Sequence, residues 1–449
     1  MVKNNRKTIF GWCMYDWANS AYITTVVAAL LPNYFARVIV GEKGVQIGNT
    51  TVSATALWGA MASVAAFFVF LCAPILGAIS DFSSAKKKFL ISFAYTGSVA
   101  AVFLYFCGSG DVWMTVLFFL ISRIGFVGAN VFYDGFLPQI ASEDKMDWVS
   151  GKGFSYGYVG GGLQFAMALG LVAGHDAIGI STSLAARIGI AMAGVWWAGF
   201  TLLTLKHLKE SGVSEEIPKQ YQSTYKFFAY ACIGVTRIQR TLRKVRRFKH
   251  LLLFLIAFMI YNDGIQTVIS MATIYGTEEL GLSATVLMLT LLVTQIIAAG
   301  GALLFGRLAD RIGTKNAVML SLVFWSCAVT YGYFLHTATE YFILGASAGI
   351  FMGGSQALSR SLYGSMIPEQ SSAEFYGFYS VFSKFSAIWG PLAFGAIRQI
   401  TGTARLSIVS LMVFFIVGLI LLWFVDVEKA QAARGKKELL GSIKSMESQ

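Results

Sequence analysis

Apolar stretches of similar length recur along this chain of 449 residues, at 9–35, 54–80, 88–107, 112–134, 153–174, 184–205, 250–276, 283–305, 315–335, 340–363, 375–396 and 405–425. Each is close to the roughly 20 residues that an α-helix needs to cross a hydrocarbon layer of about 30 Å. Inside that layer every backbone N–H and C=O must find its partner within the element, and for continuous apolar runs of this length that leaves the helix. The expectation is an all-α membrane protein with twelve transmembrane spans. Only 13% of the residues are charged, about half of what a soluble domain carries, so a soluble catalytic domain does not fit.

The position of the cations gives the expected topology. The 35 Lys and Arg outnumber the 23 Asp and Glu, which in a soluble chain would raise the question of nucleic acid. Sorted by the side on which each connection falls, 27 lie with the chain termini, 5 lie opposite and 3 lie inside spans. By the positive-inside rule both termini face the cytoplasm, and no nucleic-acid partner is expected. Lys3, Arg6 and Lys7 precede the first span as in a signal peptide, but Asp16 and Asn19 interrupt it, so cleavage is not expected. Five cysteines without a CxxC pair and four single histidines offer neither a disulfide framework nor a metal site. No cofactor and no enzymatic activity are expected.

The chain divides into two halves that repeat each other. Residues 1–205 carry six spans, 206–249 form a basic linker, 250–425 carry six more, and 426–449 form a tail. The linker holds 11 Lys and Arg, and from Ile233 to Lys249 its apolar and basic residues alternate as in an amphipathic helix lying on an anionic inner leaflet. Gly77 and Asp81 with Lys86 to Lys88 follow span two; Gly306, Arg307, Asp310, Arg311, Gly313 and Lys315 follow span eight, 229 residues later. Tyr133-Asp134 ends span four and Tyr363-Gly364 ends span ten, 230 residues later. One shared offset at two landmarks marks an internal repeat, the way many transporters build a midplane site between two halves.

Six charges lie in the spans: Asp16, Asp134 and Asp263 against Arg123, Arg360 and Lys384. Each costs at least about 2.5 kcal/mol at the bilayer centre unless it finds a partner or a wet cavity. Three against three makes a neutral, internally paired interior, which points to a zwitterionic or neutral polar solute. Asp263, Arg123 and Lys384 fall near the midplane and are expected beside the solute or in coupling, with Asp263 taking up a proton. Asp16, Asp134 and Arg360 fall nearer the terminal side and are expected to close a gate. The alternative is a set of fixed ion pairs that never exchange partners.

Asn19, Asn130, Asn262, Gln266 and Gln356 extend the polar set. Asn130 with Asp134, and Gln356 with Arg360, stand at i and i+4 on one helix face. Gly264 marks a place where span seven would loosen. The glycines at 157, 160, 161 and 162 and at 349, 353 and 354 read as close-packing faces. No nucleotide-binding loop is present, so ATP-driven transport is unsupported.

The string Gly306-Arg-Leu-Ala-Asp310-Arg311-Ile-Gly313-Thr-Lys315 resembles the loop signature of the major facilitator superfamily. The first copy keeps Gly77, Asp81 and the lysines but has Phe82 and Ser83 in place of Arg and an apolar residue. Trp12-x-x-Tyr15-Asp16-Trp17-Ala18-Asn19, Tyr133-Asp134-x-Phe136-Leu137-Pro138, Tyr261-x-Asp263-Gly264-x-Gln266-Thr267 and Gly354-x-Gln356-x-x-Ser359-Arg360, with Lys384 ahead of Gly390-Pro391, look like the Atg22-like family of that superfamily. The resemblance implies the major facilitator fold, twelve helices in two pseudo-symmetric six-helix bundles, with secondary transport by alternating access. It implies a gating latch at Asp81 and Asp310, and a small-molecule substrate, amino acids being the best guess. A monomer in a bacterial inner membrane is expected, with a proton as coupling ion. An uncoupled facilitator, a non-transporting receptor and a lipid-handling protein are the alternatives.

Overall fold

Hydroxyl side chains set several helix starts. Ser53, Ser181 and Ser283 each accept a hydrogen bond from a backbone N–H of the first turn, and Thr337 with Glu340 forms a capping box; such caps satisfy donors that the helix itself leaves free. The structure is a computed structural model and describes residues 2–41, 44–210, 232–236, 248–386 and 388–434. The crossings in chain order are α1 (Arg6–Val40), α2 (Ala54–Ser83), α3 (Lys86–Phe103), α4 (Val112–Gly135), α5 (Met146–Ala173) and α6 (Thr182–His207). The second half has α7 (Lys249–Glu278), α8 (Ala284–Ile312), α9 (Thr314–Tyr333), α10 (Ala338–Met366), α11a (Ser372–Phe385), α11b (Trp389–Thr401) and α12 (Ala404–Trp423). A short helix, α13 (Val427–Arg434), follows. Among the described residues nine helices are long and apolar enough to cross a membrane; α2, α9 and the broken α11 complete the set of twelve.

Several elements depart from the sequence reading. Span five begins at Met146 rather than 153, which carries Asp147 and Ser150 into the helical bundle. α1 widens into π-type turns over Tyr22–Leu30 and Phe35–Val40. Span eleven is two helices rather than one. α7 runs unbroken through Gly264, where a Cβ would lie 2.9 Å from Phe415: this glycine serves close packing against α12, not loosening. A hairpin, β1 (Val45–Ile47) and β2 (Thr50–Val52), sits between α1 and α2, with Gly48 in its two-residue turn at φ +59°, the positive φ that such turns require. The expected amphipathic linker helix and its lipid contact fall largely at 211–231 and 237–247, outside the described residues.

Two buried apolar clusters form the cores, one from Ile9 to Leu208 around Trp12 and Trp197, the other from Leu251 to Ala430 around Trp325. Ala373, from the second half, belongs to the first cluster. The halves therefore share a packed seam, on the side where α1 begins and α12 ends, called here the terminal side. Backbones come very close there: a Cβ on Gly77 would lie 2.3 Å from the Ala373 carbonyl oxygen, and one on Gly377 would lie 2.7 Å from Pro74.

Candidate functional site

Arg360, buried on α10, ties four elements of both halves together. Its Nη1 donates to Asp134 Oδ1 at 3.2 Å on α4 and to Asp16 Oδ2 at 3.4 Å on α1. Nε and Nη2 donate to the Ser150 hydroxyl and carbonyl on α5, at 3.0 and 2.9 Å. The guanidinium lies 4.1 Å from the Phe154 ring and 4.8 Å from that of Trp12. Tyr133 stacks on Trp12 with centroids 4.4 Å apart and donates to Asp16 Oδ2 at 2.8 Å. A planar cation with a fork of donors and flat faces for aromatic rings suits this position, where lysine would serve one acceptor at a time.

Nearer the terminal surface two further contacts bridge the halves. The fully buried Asp81 carboxylate pairs with Lys86 at 2.7 Å and accepts from the backbone N–H of Ala373 and Glu374 at 3.3 and 2.8 Å, the first turn of α11a, where free donors and the helix dipole favour an anion. Lys86 also donates to Ser372 at 2.9 Å. The repeat of this motif behaves differently. Asp310 is exposed and has no ion pair among the described residues, Arg311 is exposed beside it, and Lys315 donates to the Trp423 and Val425 carbonyls of its own half. Gly313 ends α8 at φ +84°, and Gly306 packs against Asp147 and Trp148 of α5. Asp147 is the cross-half acid here, accepting from Thr314 at the start of α9 and from Ser361, each at 2.5 Å.

Beyond Arg360 lies a cavity of about 550 Å³ lined by both halves, reaching from Asp16, Asp134 and Arg360 to Leu335, Tyr341 and Ile408. Asn19, Asn130, Asn262, Gln266 and Gln356 line it, as do Arg123 and Lys384. Asn19 donates to Asn130 at 2.7 Å, Tyr158 to Gln356 at 2.8 Å, and Asn262 to Ser386 at 2.5 Å. Gln295 of α8 donates to Thr24 of α1 at 3.1 Å, a bridge between halves through the cavity wall.

Asp263 is placed elsewhere than expected. Its carboxylate is not on the cavity wall but accepts from the backbone N–H of Trp389 and Gly390 at 3.1 and 2.9 Å, capping α11b where span eleven breaks. A Cβ on Gly390 would lie 1.9 Å from Thr267 Oγ1 and 2.8 Å from Asp263 Oδ1, so the approach needs glycine. The expectation of a neutral, paired interior is likewise corrected: the cavity wall carries Arg123, Arg360 and Lys384 against Asp16 and Asp134, because the third acid is turned away to a helix end. Ser150, Phe154 and Asp147 were not foreseen. Asp147 and Ser150 lie ahead of the apolar run at 153–174 and enter the bundle only because the helix starts at Met146; Phe154 lies inside that run, where nothing distinguishes it from a lipid-facing or packing aromatic.

No group of three or more His, Cys, Asp or Glu suited to a metal occurs among the described residues.

The fold is similar to solved transporters of the major facilitator superfamily. The fucose transporter FucP in its outward conformation aligns with TM-score 0.67 at 13% identity, covering 93% of this chain and 98% of that one. The proton:xylose symporter XylE aligns with TM-score 0.68 at 12% identity, covering 95% and 98%. A cavity between two six-helix halves, sealed on one side by contacts between them, is the arrangement of that class, and this chain is a membrane transporter of the major facilitator type. More narrowly, the family model described as "Vacuole effluxer Atg22 like" matches residues 4–435, and the chain belongs to that family. It is 34% identical to the MFS-type transporter YxiO of Bacillus subtilis over 95% of this chain and 97% of that protein. It is 25% identical to autophagy-related protein 22 of Kluyveromyces lactis, over 96% and 95%.

Proposed function

We propose that the protein is a secondary active transporter that moves a small polar metabolite by alternating access, drawn here with the terminal side closed and that side facing the cytoplasm of a bacterial cell. The observation that carries this reading is the Arg360 hub. A cation of one half held by two acids of the other, directly below a cavity lined by both, is a seam that can open only by separating the halves. Amino acids are the first substrate class to test, in line with the effluxer description of the family. The protein works as a monomer, since the cavity is complete within one chain.

For coupling, Asp16 and Asp134 share the single Arg360 guanidinium (3.4 and 3.2 Å), so a proton entering at the pair loosens its hold on the cation. Asp263, held by two backbone donors, serves the helix break instead. An uncoupled facilitator is the second reading, favoured by that same engagement of Asp263. The test is purified protein in liposomes loaded with a mixed amino-acid pool, with efflux followed by mass spectrometry at equal and unequal pH. Loss of particular amino acids that the pH gradient accelerates supports the coupled transporter. Loss indifferent to the gradient supports the facilitator, and no loss above protein-free vesicles removes amino acids as substrates.

A further inference from the structure

The two cations left over in the cavity carry an inference about the solute, one that rests on the transport reading above. Arg123 stands midway along α4 and Lys384 in the last turn of α11a, two helices in contact. Both side chains line the same cavity. Neither has an ion pair among the described residues. The Nη1 of Arg123 is buried without a hydrogen-bond partner, and the nearest ring, Phe126, lies 5.8 Å from the guanidinium carbon. Among the described residues the three acids of the spans are committed: Asp16 and Asp134 to Arg360, Asp263 to the α11b N-terminus.

Two like charges on the wall of one largely apolar cavity repel, and a buried guanidinium without an acceptor forgoes strong hydrogen bonds. An oxyanion between them removes both penalties, since a carboxylate or phosphate accepts from the guanidinium fork and from the ammonium together. Helix geometry excludes one alternative. Arg123 and Asp134 are eleven residues apart on α4, about 16 Å along its axis, whereas the two charges of a simple α-amino acid sit on adjacent atoms of one carbon. A neutral zwitterion held at Arg123 and Lys384 cannot reach the acids at the closed end.

We propose that Arg123 and Lys384 are the recognition site for an oxyanion group of the solute, and that the transported solute is a net anion: an organic acid, an acidic amino acid or a phosphorylated metabolite. Two measurements on the full chain test this. In proteoliposomes, glutamate, succinate and glycerol phosphate are compared with glutamine, leucine, lysine and xylose as labelled probes. At least one anion is expected to exchange, with Arg123→Gln and Lys384→Gln each raising its half-saturating concentration about tenfold or more, and Arg123→Lys recovering part of the loss. In detergent, the melting temperature of ligand-free Arg123→Gln is expected to equal or exceed that of the parent, because an unpaired cation has been removed. A drop of several degrees would make Arg123 a structural residue and overturn the proposal. Exchange of neutral or cationic probes alone, with Arg123→Gln/Lys384→Gln as fast as the parent, would also overturn it while keeping the transporter. If no probe exchanges, the transport reading fails for these solutes; failure of all three anions to shift the parent's melting temperature upward by more than they shift that of the double variant then overturns the anion site by itself.

Discussion

Arg360 makes four polar contacts within 3.4 Å to three residues of the other half. Removing a cation from such a site leaves two buried carboxylates without compensation, which costs about 3–5 kcal/mol, or roughly two to four orders of magnitude in the balance between closed and open forms. Arg360→Met is therefore expected to open the terminal side. In a background lacking the five native cysteines, a cysteine at Ser20 on the cavity wall should become reactive to an impermeant thiol reagent applied from that side. Adding Asp16→Asn and Asp134→Asn should restore protection, because the acids no longer repel. Unchanged labelling in Arg360→Met would deny the hub its gating role. The identities of these charges were legible in the sequence, as was their placement toward one end of the spans. Ser150 was not, because it lies in the seven residues ahead of the apolar run, which face the partner half rather than lipid; Phe154 was in the run, but an aromatic there carries no sign that it meets a cation.

The decisive element is the broken eleventh span. A continuous helix over 375–396 is what the apolar run alone predicts, but Pro391 within it has no N–H for the preceding turn and crowds the carbonyl four residues back, which favours a break just ahead of it. The break holds because Asp263 satisfies the two donors that it frees; without that cap the exposed N–H groups would face an apolar interior. Asp263→Ala is expected to lower stability by about 1.5–3 kcal/mol, the range for a hydrogen bond to a charged group, measured by thermal unfolding in detergent. Gly390→Ala should also destabilise, since its Cβ would fall 1.9 Å from Thr267 Oγ1. Thr267→Ala combined with Gly390→Ala should recover part of that loss, whereas simple additivity would deny the contact. Residue types alone suggested Asp263 as a proton carrier at the midplane; a helix end that only the folded chain creates gave it another partner.

At the scale of the whole molecule the repeat keeps its sequence offset to within one residue and is unequal in use. Asp81 reaches across to the N-terminus of α11a, while its counterpart Asp310 stays exposed and Asp147 bridges to α9 instead. Asp81→Asn weakens a buried pair with Lys86 and a helix cap at once, so it should slow solute exchange in proteoliposomes about tenfold or more, by destabilising the closed terminal side by at least ~1.4 kcal/mol. Asp310→Asn, at an exposed site, should change the rate by less than about twofold. Equal losses from both would show that the second copy latches in the opposite conformation. Only one state of the cycle places Asp81 against α11a, and the repeat pattern does not say which copy is engaged in it.

By itself the sequence determined the all-α membrane fold and the family, and it set the expected orientation and the expected division into two repeated halves, because these follow from run length, charge position and motif, all local properties of a chain that must satisfy its backbone within a membrane. It also supplied the six buried charges. Which of them pair was decided only by the tertiary structure. Ion pairing depends on where helices far apart in sequence meet, and on a helix end at Trp389 that Gly390-Pro391 marks as a breaking point without saying which acid caps it. That end takes Asp263 out of the cavity and leaves Arg123 and Lys384 without a counter-charge, turning an interior that is neutral in composition into a cavity whose wall is cationic.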